Sequence, residues 1–223
     1  MSRSNSQELV KKTADQYHHG DLRRTLLDAA RELATEQGID SFTLREVARR
    51  AGVSHAAPYH HFADKAALVE ALTAETYNRL TEVLSRATKK AKGTALDRLT
   101  AIGIAYVEFA VGHPAEFRLL ARFGVCDYPG VEHPAGAHHN SPVEQAASGA
   151  YALLIETIDE GQEKKLLNQD RTQALALTCW AAVHGLATLI LDGLIRKEPY
   201  QKMSSRELAK MVVLTLKNGL AIR

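Results

Sequence analysis

The stretch from Thr43 to Lys65 holds the side chains with the clearest chemical bias. Arg45, Arg49, Arg50 and Lys65 stand there against Glu46 and Asp64, and His55, His60 and His61 add further hydrogen-bond donors. Such a cluster suits contact with a polyanion. The chain as a whole is almost balanced, with 28 Lys and Arg against 26 Asp and Glu and a net charge of +2. Any nucleic-acid contact must therefore come from this local patch and not from bulk charge. Enzyme signatures are missing: the sequence has no Gly-x-Gly-x-x-Gly, no Gly-x-Ser-x-Gly, no phosphate-cradling loop and no His-Glu-x-x-His. It also lacks a Glu-x-x-His pair, which argues against a di-iron helical bundle.

Short helices must position the cluster. Thr43 with Glu46 three residues later forms a capping box, and Leu44, Val47 and Ala48 supply the inner face of the helix it opens. Gly52 can take positive φ and reverse the chain, with Val53 as an apolar plug beneath the turn. Ser54 then caps a third helix running to about Phe62, in which Pro58 predicts a slightly distorted first turn. Upstream, Asp21 caps a helix with Leu22, Leu26, Ala29, Ala30 and Leu33 inward, ended by Gly38. Downstream, Asp64 caps a long helix through Leu68, Leu72, Leu80, Val83 and Leu84. Two short helices flanking a glycine turn make a helix-turn-helix, whose second helix enters the major groove of DNA with its N-terminal residues facing base edges.

The remainder also reads as helical, and an all-α protein follows. Helices are expected from about Thr94 to Val111, from Pro114 to near Gly124, from Ser141 to Leu167, and from near Asp170 to Ile195. A last one starts at Ser204, where Glu207 completes a second capping box, with Leu208, Met211, Val212, Thr215 and Leu216 as its stripe. Ala174 to Ile195 is about long enough to span a bilayer. It contains His184, Gly185, Asp192 and Gly193, and reads as a helix buried in a core or an interface, not as a membrane span. Residues 125–140 form a Gly-, Pro- and His-rich loop; Cys126, Asp127, His133, His138 and His139 there match no compact zinc spacing, so no metal site is expected. Two cysteines, Cys126 and Cys179, and a polar N-terminus without an apolar stretch predict a reduced, cytoplasmic setting.

The stretch Thr43–Phe62 resembles the DNA-binding domain of the TetR family of repressors, and the resemblance continues outside it. Tyr17-His-His-Gly-Asp-Leu-Arg23 is similar to the entry to the first helix in one subgroup. Tyr59-His-His-Phe62 with Ala-Asp-Lys65-Ala-Ala-Leu68 is similar to the end of the recognition helix and the start of the fourth. His113-Pro-Ala-Glu-Phe-Arg118 resembles a sixth-helix opening, and Trp180-Ala-Ala-Val-His-Gly185 a C-terminal signature of the subgroup.

The resemblance implies residues 1–20 as an arm and 21–66 as the helix-turn-helix domain with the start of a linking helix. Residues 67–223 would be a helical-bundle domain for ligand sensing and dimerisation. It implies phosphate contacts from Thr43, Arg45 and Lys65. Ser54, His55, Ala56 and Ala57 would face the groove, with Tyr59 and His60 on the DNA backbone. Ala56 and Ala57 offer only apolar contact, so base reading rests on His55 and on DNA shape. Family members dimerise through their last two long helices, here about 170–195 and 204–220. They commonly hold a small effector in the middle of that domain, for which Tyr106, Phe109, Phe117, Tyr151, Trp180 and His184 are candidate lining residues. Trp180 and His184, one turn apart, share a face. The expected function is a cytoplasmic repressor that binds double-stranded DNA at a palindromic operator as a homodimer and is released by a small molecule, without cofactor, metal or membrane. The alternative is a DNA-binding or interaction protein with neither sequence choice nor effector.

Overall fold

The computed structural model describes residues 22–122, 141–169 and 171–220. The N-terminal arm, Asp21, the 125–140 loop with its cysteine, aspartate and histidines, and Asp170 lie outside the described residues. The chain separates into two compact units, up to Leu72 and from Thr73 onward. That division falls a few residues beyond the 66/67 boundary expected from sequence. It lies within one continuous helix.

The first unit contains α1 (22–37), α2 (Leu44–Arg50), a single 3-10 turn (Ala57–His60) and the opening of α3 (Lys65–Lys90). Leu26, Leu27 and Ala30 of α1 share a core with Phe42, Val47, Ala48, Phe62 and Leu68, all buried. The helix starts are set locally. The Thr43–Glu46 capping box forms as the spacing predicts, and Asp64 Oδ1 accepts from the Ala67 amide at 2.8 Å. Gly52 sits at φ +70°, which lets the Val53 amide reach back to the Ala48 carbonyl at 3.0 Å. Arg50 clamps α2 to α1 through Glu36 at 2.5 Å and Glu32 at 3.1 Å.

One element departs from the expectation. No α-helix runs from Ser54 to Phe62; the regular part is the four-residue 3-10 turn, preceded by an irregular turn at His55 and Ala56. Ser54 contributes its carbonyl, accepting from the Ala57 amide at 3.0 Å, and the N-cap Ala56 has no side-chain cap bond. Pro58 accounts for the change. It has no N–H to return to Ser54, so the α-type bond at that step cannot form, and three-residue bonds replace it. The distortion is thus larger than the slight one anticipated, and buried Pro58 pins the segment against the core.

The second unit holds the rest of α3, then α4 (Ala95–Gly112), α5 (Pro114–Arg122), α6 (Pro142–Glu163), α7 (Thr172–Leu191) and α8 (Ser205–Leu220), with a 3-10 turn at Tyr200–Lys202. α4 is its axis and packs on α5, α6, α7 and α8. Boxes at Thr94–Asp97 and Ser204–Glu207 open α4 and α8, and Ser141 caps α6. α8 turns inward a face that only partly matches its expected stripe: Leu208 is buried and Val212 and Leu216 are half-buried as expected, Ala209 and Val213 join them, and Met211 and Thr215 are exposed. α7 is long and apolar enough to cross a membrane by composition. Its Leu175, Ala176, Val183, Leu186 and Ala187 are nonetheless buried in this unit's core.

Gly103 of α4 makes the close approach to α7 and α8 possible. A methyl group there would lie 2.7 Å from Val213 Cγ2 and 3.3 Å from Val183 Cγ1. Both neighbours are β-branched and stiff. Gly103→Ala gains about 1 kcal/mol of helix propensity but forces overpacking worth about 1–3 kcal/mol. Net destabilisation is expected, read as a lower urea midpoint at fixed protein concentration.

Candidate nucleic-acid surface and effector cavity

The nine residues expected at DNA all lie in the first unit. Thr43, Arg45, Ser54, His55, Ala56, Tyr59 and His60 are exposed; Ala57 and Lys65 are half-buried. Exposure is what a contact surface requires, and Tyr59 at 55% is unusual for an aromatic side chain. The side chains differ in how available they are. Among the described residues Arg45 has no hydrogen-bond or ion-pair partner. Lys65 donates to the Asp40 carbonyl at 2.9 Å and lies 4.7 Å above the Phe42 ring centroid. An ammonium has three donors, so two remain for another acceptor.

Thr43 is more committed than its expected role suggests. Its hydroxyl donates to Glu46 Oε2 at 2.9 Å and accepts from the Glu46 amide at 3.3 Å. The Thr43 side-chain and backbone bonds hold the Glu46 carboxyl below the usual range. A phosphate bond from the Thr43 hydroxyl requires that its one proton leave Glu46.

The second unit encloses a cavity of about 240 Å³. Four of the six candidate lining residues reach it: Tyr106 from α4, Tyr151 from α6, and Trp180 and His184 from α7. Phe109 and Phe117 do not. Phe109 is buried and stacks on His113 at 4.8 Å, next to the end of α4. Phe117 stands behind the wall, 6.0 Å from the Tyr106 ring and 5.0 Å from the His184 ring. The correction is one of position along the helix: Phe109 lies nearly one turn beyond Tyr106 on a similar side of α4, past the end of the opening.

Sequence reasoning passed over Tyr77, Leu80 and Leu84 of α3, Leu99 and Thr100 of α4, Cys179 of α7 and Lys217 of α8, which complete the wall. Their apolar periodicity could be seen, but not which groups face the same space. A polar chain crosses this lining. Trp180 Nε1 donates to Tyr106 Oη at 3.3 Å, and Tyr106 Oη lies 2.9 Å from His184 Nδ1. Burial lowers the His184 pKa from its ordinary value, favouring neutral imidazole, and pushes the Cys179 thiol up to about 11. Lys217 pairs with Asp97 Oδ1 at 2.8 Å. Among the described residues no cluster of His, Cys, Asp and Glu is arranged to hold a metal ion.

Known proteins share both units. Residues 26–72 match the family described as bacterial regulatory proteins, tetR family, and residues 99–212 match the tetracyclin repressor-like C-terminal domain. The HTH-type transcriptional repressor Rv1474c of Mycobacterium tuberculosis is 42% identical over 69 residues, 31% of this chain and 37% of that protein. The HTH-type transcriptional regulator BetI of Escherichia coli is 41% identical over 81 residues, 36% of this chain and 42% of that protein. These matches span only about two fifths of the curated relatives' length. A solved structure of a protein with unknown function from Rhodococcus sp. RHA1 is similar throughout. It is 35% identical with a TM-score of 0.77, covering 92% of this chain and 98% of that one. With both of its units matched, the second over half of the chain, the protein belongs to the TetR family of bacterial regulatory proteins.

Proposed function

We propose that this protein is a sequence-specific transcriptional repressor that binds a palindromic operator as a homodimer in the cytoplasm and leaves it when a small molecule fills the cavity. The observation that carries the reading is the exposed surface built from Thr43 to Lys65 on a helix-turn-helix frame. Its role is binding without turnover. Phosphate contacts from Arg45, Lys65 and Thr43 position the module, with Tyr59 and His60 alongside, and Ser54 to Ala57 meet base edges. Of Ser54 to Ala57 only His55 carries a long polar side chain, so DNA shape carries part of the specificity.

The dimer reading is supported by the open faces of α7 and α8. Leu189, Met211 and Leu214 are exposed there, with Leu194 exposed just past the end of α7, although α7 is apolar around its circumference. A second copy covering these faces would space the two recognition segments by roughly 34–36 Å, or a multiple of one DNA turn. The effector reading is supported by the cavity and its polar chain. A ligand that fits one spacing of the two DNA modules better than the other shifts the population away from the DNA-bound state.

Selection of duplexes from a random pool at near-physiological salt tests the reading. One recovered palindrome, bound by a dimer, is the expected result. No recovered motif from folded dimeric protein would instead indicate DNA binding without sequence choice. Lys65→Ala is expected to weaken binding about equally on all sequences and to reduce the salt dependence, measured by titration at several salt concentrations.

A further inference from the structure

The hydrogen-bonding capacity of the cavity is almost fully used within the protein. Tyr77 Oη donates to the Leu120 carbonyl at 3.2 Å, and Thr100 Oγ1 donates to the Leu96 carbonyl at 2.8 Å. Trp180 Nε1, which can only donate, is bonded to Tyr106 Oη. With Tyr106 Oη accepting that bond, the His184 tautomer that continues the chain is the one in which the Tyr106 hydroxyl donates to Nδ1. A neutral imidazole that accepts at Nδ1 carries its proton on Nε2. No partner for His184 Nε2 occurs among the described residues, and His184 lines the cavity. In that tautomer the chain from Trp180 through Tyr106 to His184 ends in an N–H donor without an acceptor among the described residues.

The charges point the same way. Lys217 is the cavity's ammonium, and Asp97 already neutralises it. Asp97 is itself fastened, since its Oδ2 accepts from the Thr94 amide and hydroxyl at 2.9 Å each in the capping box that opens α4. Two donors of the ammonium remain, but its pairing with Asp97 leaves no net positive charge there to balance a ligand carboxylate. Among the described residues no carboxylate lines the cavity to receive a ligand cation. The remaining surface is chiefly leucine, with alanine, valine and isoleucine. A charge enclosed there without a counter-charge is strongly disfavoured.

We infer that the cavity takes an uncharged, mainly apolar molecule bearing one hydrogen-bond acceptor, such as a ketone or ester oxygen, which meets His184 Nε2–H. This rests on the cavity being the effector site. The chain's single tryptophan, Trp180, lies in the wall and reports occupancy by its fluorescence. Full-length protein is titrated with 2-octanone, octanoate and octylammonium. The ketone is expected to shift Trp180 emission saturably, with an affinity about tenfold or more above either ion. His184→Leu is expected to weaken the ketone about 3- to 10-fold, the worth of one net hydrogen bond, and His184→Gln, which keeps an N–H, to recover part of the loss. Tightest binding of octanoate or octylammonium, or equal ketone affinity in the wild type and H184L, overturns the ligand class while leaving the cavity as the effector site. The probe comparison in the wild-type protein decides the class even if the leucine variant fails to fold. A tryptophan signal unmoved by all three probes overturns the effector-site reading and the ligand class with it.

Discussion

Arg79→Ala is expected to lower stability by about 2–3 kcal/mol, clearly more than Glu116→Gln. One guanidinium nitrogen of Arg79 on α3 lies 2.7 and 2.6 Å from the two carboxylate oxygens of Glu116 in the first turn of α5. Burial is unequal, since the Glu116 side chain is 7% exposed and that of Arg79 39%. Removing the arginine takes an ion-pair partner from a buried carboxylate. Loss of one partner from a fully buried pair costs about 3–5 kcal/mol, and solvent access to Arg79 reduces that figure. Neutralising Glu116 leaves a guanidinium that can turn to water, at a cost of about 1 kcal/mol. Urea unfolding of both variants at one protein concentration measures the difference, and equal losses would contradict the argument. The pair also bears on the cavity. Tyr77 and Leu120, joined by the Tyr77 hydroxyl, belong to the same two helices and line the wall. Loosening α3 from α5 should therefore weaken ligand binding as well.

The second large effect separates position from sequence choice on DNA. Arg45→Ala removes a cation that has no acidic partner among the described residues. A dimer loses two phosphate contacts, so the slope of log K against log salt should become shallower by about 2, with similar losses on preferred and random duplexes. His55→Ala should behave in the opposite way. The preferred duplex should lose about 1–3 kcal/mol per half-site, random DNA should lose little, and the salt slope should hardly change. Titrations of both variants on both duplexes at several salt concentrations provide the comparison. Equal losses for His55→Ala on the two DNAs would remove it as a base reader.

Much of this protein was decided by bonds that span a few residues. The Thr43–Glu46 and Ser204–Glu207 boxes, the reversal at Gly52 and the start of α5 at Pro114 use partners within four positions, so residue type and spacing suffice. The family resemblance in the helix-turn-helix was legible for the same reason. Even there, Pro58 restructured the recognition segment further than sequence suggested, leaving a four-residue 3-10 turn in which its ring is buried. The cavity depended on tertiary structure. Which turns of α4 reach it, those of Leu99 and Tyr106 but not that of Phe109, depends on how the neighbouring helices pack along α4. The same packing turned Val213 inward and left Met211 outside. Arg79 with Glu116, and Tyr106 with His184, meet across 37 and 78 residues of chain. Sequence by itself determined the helices, their caps and the family; only the packing of those helices decided which polar groups meet, because periodicity marks an apolar face without stating what that face will meet.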